Sequence, residues 1–570
     1  MEVDDIQQLV GGYKPFQLVA YFCLGFLYMR GSWHVFSPMY LGYDPGYHCT
    51  PAPNTTLNLT IPGKEKDGVW VWDKCLMYAT PGERNATVAC QNGWTYGFQP
   101  GETSFLAEWS LVCDKEYLVE LSTTIYMVGT TCGAVFLSPL SDVFGRKRVM
   151  LACLWAQAVL GFGLAWVTDF IAYTVIRFFI GLFNMTIALC VSVLLSESFA
   201  STHRLLPAVS VQFFWAMGLM LLALFGYLVR NWRHLEMLIS LPNLLSIGCI
   251  CLLSESVPWL VSKKKLDEAE SVLRRAAKMN KIFLPTDIRR KLEEAARGTW
   301  TTLGEPEGVQ ERGRDRERSK TETKPESDKK EGLVMSEVHE SKLTAFGLLC
   351  IPKINVYCFI MFFLFLANSL GYFGVLFLTP TLNGDRFLNL FLSATVEIPA
   401  YIIAYASNRC IGRRIPMSVF LLVCAAANIG AIFVPSTSGD GSDIVWLKTA
   451  LVMIGKFGIT GSYSTVYLYA SEMFPTSIRN HALGMCSFFE NIGSTAAPSM
   501  VIAAKKMTYL PLSIFGGLTA VGGMLVLMLP ETHKRPLPQT VEEVQSWGRG
   551  RGYQRNTKNG SVNPTFVETN

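Results

Sequence analysis

Charged residues are scarce in this chain. They make up 17% of its 570 residues, where a soluble domain carries about a quarter. Three motifs are missing as well. There is no Gly-x-x-x-x-Gly-Lys-Ser/Thr loop to cradle phosphates, no His-Glu-x-x-His and no Gly-x-Ser-x-Gly. The first absence argues against ATP-driven pumping, and the others remove two common hydrolytic sites, so no enzyme is indicated. The formal net charge of +5 is too small to mark a nucleic-acid partner. Met1 to Gly12 is acidic and polar, with no cleavable leader pattern, and the apolar block that follows is long enough to span a bilayer.

Apolar residues are abundant: 50% of the chain, with a mean hydropathy of +0.28. They fall in blocks of about 20 residues, the length of a membrane-spanning helix. Twelve spans are predicted, at 16–38, 119–140, 149–167, 170–193, 206–228, 235–254, 352–378, 387–407, 415–435, 446–469, 481–503 and 509–529. Arg146-Lys147-Arg148, His203-Arg204, Arg409, Arg413-Arg414 and Arg479 all fall on one side, which the positive-inside rule assigns to the cytoplasm. Arg230, Arg233, Lys505 and Lys506 dilute the bias on the other side. The chain then divides into a cytoplasmic N-terminus (1–15), a first six-span half (16–257), a cytoplasmic segment (258–351), a second half (352–529) and a cytoplasmic tail (530–570). Leu266 to Met279 has helical spacing. Arg297 to Lys330 is almost wholly polar and reads as disordered linker, because it cannot bury enough apolar area to offset its ordering entropy.

The polar loop at 39–118 holds Cys49, Cys75, Cys90 and Cys113, enough for two disulfides in any of three connectivities. It also holds glycosylation acceptor triplets at Asn54, Asn58 and Asn85. Together they place this loop in a lumen or outside the cell. Most remaining cysteines sit in apolar blocks and read as small buried hydrophobes. A triplet at Asn184 lies inside a span and should stay unmodified.

The two halves repeat one another. Glu197 and Arg204 follow the fourth span, and Glu472 and Arg479 follow the tenth, in a shared Ser-Glu-x-Phe-x-Ser/Thr-x-x-Arg pattern. Asp142-x-x-Gly145-Arg146-Lys147 follows the second span and Gly412-Arg413-Arg414 the eighth; Glu255 ends the sixth and Glu531 the twelfth. Two parallel six-span halves place a substrate site between them at mid-membrane. These motifs resemble those of the major facilitator superfamily. The resemblance implies an all-α membrane protein of twelve helices in two halves, with a large extracellular loop between helices 1 and 2. Asp142, Gly145, Arg146, Glu197, Arg204, Glu255, Arg413, Glu472, Arg479 and Glu531 would form the cytoplasmic latch, Asp142 facing the positive start of helix 11 near His481. Topology setting and helix-end capping are the plainer reading of the same charges. Val143, Ser138, Ser254, Val257-Pro258 and Arg409 depart from the family pattern.

Trp109 to Asp114, Val396 to Tyr401, Gly455 to Thr460, and Pro530-Glu531-Thr532 with Leu537 to Thr540 resemble the organic cation, carnitine and organic anion transporters of solute carrier family 22, nearest its carnitine and zwitterion branch. An ionisable side chain within a span is a functional candidate by default. Those here are Arg30, Arg177, Glu236, Glu397, Lys456 and Glu490. By resemblance Glu397 borders the central cavity, and Asn491 stands where cation carriers have Asp and anion or carnitine carriers have Arg. Lys456 neutralises Glu397 or Glu490, or holds a substrate carboxylate. Trp215, Tyr372 and Phe489 complete a cation-binding aromatic set.

The reading is a plasma-membrane carrier of small organic ions working by alternating access. Organic cations or zwitterions such as carnitine come first, organic anions second, and a non-transporting sensor third. No cofactor is expected, the coupling ion being sodium or a proton if there is one. The partners are the substrate, the bilayer and, through the cysteine loop, a second copy of the chain.

Overall fold

The structure, a computed structural model, describes residues 3–303, 354–435 and 445–535 with short breaks at 52, 54, 67–68, 83, 85, 201–202, 204, 383, 476–478 and 508, together with 538, 543–544 and 547. Asn54, Asn85, Arg204 and the greater part of the polar linker lie outside the described residues.

Among the described residues, twelve helices build the bundle. The first half contains α1 (Pro15–Phe36), α2 (Tyr117–Cys132), α3 (Arg146–Leu164), α4 (Phe170–Ser198), α5 (Leu205–Leu228) and α6 (Trp232–Leu252). The second contains α7 (Ile354–Leu378), α8 (Arg386–Cys410), α9 (Arg414–Ile432), α10 (Val445–Met473), α11 (Arg479–Ala496) and α12 (Leu510–Val526). Each expected span corresponds to one of them. Seven helical stretches are individually long and apolar enough to cross a membrane. The outward faces carry Phe136, Val159, Ile171, Ile402, Val419 and Met524, all more than half exposed. Polar groups turn inward instead, the arrangement a hydrocarbon solvent selects.

Local sequence explains the irregular parts. Pro139 has no N–H to continue α2, so that helix passes through a π turn at Gly133–Leu137 and resumes at Leu140–Phe144. Helices α2 and α4 pack backbone to backbone. A Cβ at Gly129 or Gly133 would sit 2.1 Å from the carbonyl of Phe178 or Leu182, so only glycine permits the approach.

The described part of the polar segment after α6 is helical, including the stretch whose spacing predicts a helix. Helices run at Val257–Ser262, Leu266–Asn280 and Ile288–Leu303. The last takes in Arg297 to Leu303, which the sequence reading gave to disorder. Its charges mask an apolar stripe: Ile288, Leu292, Ala295 and Ala296 bury against Trp259, Leu260 and Leu273. Ile6, within the short helix Val3–Leu9, and Val10 just after it complete this cluster. Asn280 ties it to α1 by accepting from the Phe16 amide at 2.9 Å and donating to Val10 O at 2.8 Å. At the opposite end of the bundle, the loop after α1 forms three two-stranded ribbons closed by disulfides Cys49–Cys90 and Cys75–Cys113, one of the three pairings open at the level of sequence.

Candidate substrate site and gates between the halves

Helix α8 presents Glu397 to the interior, and α10 presents Lys456. Their Oε1 and Nζ lie 2.9 Å apart, both fully buried. Tyr372 of α7 donates to Glu397 Oε1 at 2.8 Å and Tyr401 to Oε2 at 3.1 Å. The ammonium also sits 3.2 Å from the centre of the Tyr372 ring. Trp215 of α5 reaches across from the first half and donates its indole N–H to Tyr372 Oη at 2.8 Å. The carboxylate thus has two hydroxyl donors and a counter-ion, which is what a buried charge requires.

One helix away lies a second carboxylate with a different environment. Glu490 of α11 accepts hydrogen bonds from the hydroxyls of Tyr463 and Tyr467, one turn apart on α10. It is partly exposed, and no basic side chain pairs with it among the described residues. The Tyr463 ring lies 5.3 Å from that of Tyr372, so the two carboxylate clusters adjoin. Tyr28 of α1 packs 5.6 Å from Trp215. Phe489 stacks on Phe362 at 4.8 Å. Asn491 turns its amide to its own helix, donating to Ser487 O at 2.9 Å. The structure therefore brings together Trp215, Tyr372, Glu397, Lys456 and Glu490, and adds Tyr28, Tyr401, Tyr463 and Tyr467. The i, i+4 spacing of Tyr463 and Tyr467 was a legible signal that these two share a helix face.

Arg30 and Arg177 are not part of this group. They are fully buried inside the first half, in a polar cluster with Gln157, Glu236 and Asn243. Glu236 is fully buried there in the second turn of α6.

The halves are closed at the end that carries the disulfide loop. Arg386, opening α8, pairs with Glu102 of that loop and lies 3.3 Å from the ring centre of Tyr43. Lys505, just after α11, pairs with Glu116 at 3.0 Å and Glu120 at 2.9 Å. Tyr40 stacks on Phe387 at 5.1 Å, and Phe36 meets Phe377 at 5.3 Å.

At the other end, the motif charges bond within their own halves. Arg146 pairs with Glu197 at 3.2 Å, and Arg413 with Glu472 at 2.6 Å. The Glu255 carboxylate accepts the Lys147 amide at 3.2 Å, and Glu531 accepts the Arg413 and Arg414 amides at 2.9 and 3.1 Å. Gly145 and Gly412 open these caps with φ of +106° and +122°. A Cβ there would stand 2.6 Å from Glu255 or 2.8 Å from Glu531. Glu255 and Glu531 are thus helix caps in this state. Arg479 donates to Phe474 O at 3.3 Å, also within its half. Among the described residues the expected contact of Asp142 with the start of α11 is not made: Asp142 is exposed and pairs with Arg146 at 3.0 Å. With the loop end closed, the two halves share no ion pair at this end among the described residues.

Comparison with known proteins places this geometry. Residues 115–498 match the family model of the Major Facilitator Superfamily. The chain belongs to that superfamily. It is 30% identical to an "Organic cation transporter protein" of Drosophila melanogaster, over 99% of this chain and 98% of that one. It is also 30% identical to "Organic cation/carnitine transporter 2" of Mus musculus, over 100% and 99%. Within the superfamily it belongs to solute carrier family 22. The xylose transporter XylE from E. coli, in a partially occluded inward-open conformation, superposes with a TM-score of 0.57 over 92% of this chain and 99% of that one; at 14% identity this speaks to the fold alone.

Proposed function

We propose that this major facilitator carries small organic cations or zwitterions such as carnitine across a plasma membrane by alternating access. The observation that carries the substrate class is Glu490. Glu397 is neutralised by Lys456 and shielded by Tyr372 and Tyr401, whereas Glu490 is partly exposed, held only by phenol hydroxyls, and set beside aromatic faces. A quaternary or primary ammonium gains a counter-charge there and cation–π contacts worth about 0.5–2 kcal/mol each. The same geometry weighs against an anion carrier, since Lys456 is spent on Glu397 and Arg30 and Arg177 are walled inside the first half.

In this reading the disulfide loop is extracellular, Asn54, Asn58 and Asn85 carry glycans, and both termini are cytoplasmic. The structure is then the inward-facing state, gated outside by Arg386–Glu102 and Lys505–Glu116/Glu120. In the outward-facing state Asp142, Arg146, Glu197, Arg204, Arg413, Glu472 and Arg479 would meet across the cytoplasmic ends, a bistable arrangement of the kind alternating access needs.

The test is uptake of labelled carnitine, tetraethylammonium and estrone sulfate in oocytes, with and without sodium and at two pH values, for wild type and Glu490→Gln. Cation or carnitine uptake lost in the variant supports the reading, and its sodium or pH dependence names the coupling ion. Estrone sulfate uptake insensitive to Glu490 overturns the substrate class. No uptake of any of the three, with protein confirmed at the surface, favours a sensor.

A further inference from the structure

The first half contains a second concentration of charge, well apart in kind from the carboxylate–tyrosine site. Arg30 of α1, Arg177 of α4 and Glu236 of α6 are all fully buried, with His34 of α1 one turn beyond Arg30. The charges do not balance, since two guanidiniums face one carboxylate. Neither arginine uses that carboxylate as a hydrogen-bond partner. Arg30 Nη1 donates to the neutral amide oxygens of Gln157 at 2.8 Å and Asn243 at 2.6 Å. Arg177 Nη1 donates to His34 O at 2.9 Å and to Ser37 Oγ at 3.4 Å, and its guanidinium carbon lies 4.5 Å from the Tyr126 ring centre. The nearest ionic contact in the cluster is His34 Nδ1 to Glu236 Oε1 at 3.7 Å, beyond hydrogen-bond distance.

Donors are left over. Arg30 Nε and Nη2, Arg177 Nε and Nη2 and the Asn243 Nδ2 group are buried without a protein hydrogen-bond partner, as are both carboxylate oxygens of Glu236 and both ring nitrogens of His34, one of which is an acceptor in the neutral ring. Such groups are rare singly, and a bound water or ion is one way in which they are satisfied. A cluster of them around an uncompensated positive charge, in a membrane-embedded half, selects for a negative one. Arginine's fork of fixed donors suits an anion as lysine's point charge does not.

We propose that the interior of the first half, between α1, α3, α4 and α6, holds a small inorganic anion of chloride size, bound chiefly by Arg30 and Arg177. Its role is to neutralise the half that does not carry the substrate carboxylates. The site rests on these residues alone and does not depend on which solute the carrier moves. Asn243 offers a direct way to replace the ion. Its Oδ1 already accepts from Arg30, so Asn243→Asp supplies a fixed carboxylate of the same shape.

The experiment uses the purified full-length chain in lipid nanodiscs and measures its thermal midpoint in sodium chloride against sodium gluconate at equal ionic strength. Binding to the folded state alone raises the midpoint with a saturable dependence on the ion. Wild type is expected to gain several degrees in chloride, and to bind ³⁶Cl⁻ saturably in a scintillation proximity assay. Asn243→Asp is expected to lose both responses while melting at or above the wild-type midpoint in gluconate. The conservative Arg30→Lys keeps the charge but loses the fork, and should weaken ³⁶Cl⁻ binding at least tenfold. Equal wild-type midpoints in the two salts, without ³⁶Cl⁻ binding, would mean that water alone satisfies these donors and would overturn the proposal. So would an Asn243→Asp variant that folds and keeps the full chloride response.

Discussion

Glu397→Gln is the perturbation whose cost follows most directly from the geometry. In the native chain Glu397 and Lys456 neutralise each other at 2.9 Å with no exposure to solvent. The substitution keeps shape and leaves the Lys456 ammonium buried against the Tyr372 ring face without a counter-ion. Removing one partner of a buried pair costs about 3–5 kcal/mol. Replacing both by uncharged groups is often close to neutral, so Glu397→Gln with Lys456→Met should recover most of that loss. The double-mutant cycle is expected to return a coupling of about 3 kcal/mol, the upper end for residues in contact. The assay is the surviving monodisperse fraction after heating, read by fluorescence size-exclusion in detergent. Uptake by the stable double variant should persist, because Glu490 is untouched. If Glu397→Gln is as stable as wild type, or the double variant no better than the single ones, the pair is not a structural ion pair. If the double variant is stable and inactive, Glu397 itself meets the substrate.

Three further outcomes are expected. Glu490→Gln removes a charge-assisted contact worth about 1.5–3 kcal/mol, so KM for a cationic substrate should rise about tenfold to a hundredfold with little change in melting temperature, measured by initial-rate uptake and thermal shift. Arg386→Gln and Lys505→Gln weaken the loop-end gate, and a cysteine reporter placed at Phe377 should then react faster with an impermeant maleimide added outside. Gly145→Ala and Gly412→Ala each force a Cβ into a capping carboxylate at a left-handed φ, at a cost of about 1–3 kcal/mol, visible as reduced surface expression and a lower thermal midpoint, with similar losses in the two halves.

The parts of the fold that depend on local pattern could be read directly. Apolar blocks of bilayer length identified all twelve helices, and the motif repeat identified their division into halves. The repeat extends to contacts that the motifs alone did not pair, since Gly145 with Glu255 and Gly412 with Glu531 form the same cap twice. What could not be read was anything set by rotation of one helix against another. The sequence offered Lys456 two carboxylates and did not choose between Glu397 and Glu490. It gave no sign that Tyr463 and Tyr467 close on Glu490, although their spacing placed both on one face. Lys505 looked like a blemish in the charge bias, yet it joins the halves through Glu116 and Glu120. The helix Ile288–Leu303 runs seven residues, Arg297 to Leu303, into the stretch whose polar composition reads as disordered linker.

Glu102, the acid that holds Arg386, lies between Cys75 and Cys113, inside the segment that their disulfide closes. The cap over the bundle is therefore mechanically part of the outer gate rather than an ornament above it. A macromolecule that grips the cap and fixes Glu102 in place would arrest the cycle without competing for the substrate site. Reduction of Cys75–Cys113 would act in the opposite sense, loosening one post of the gate while leaving the membrane-embedded machinery intact.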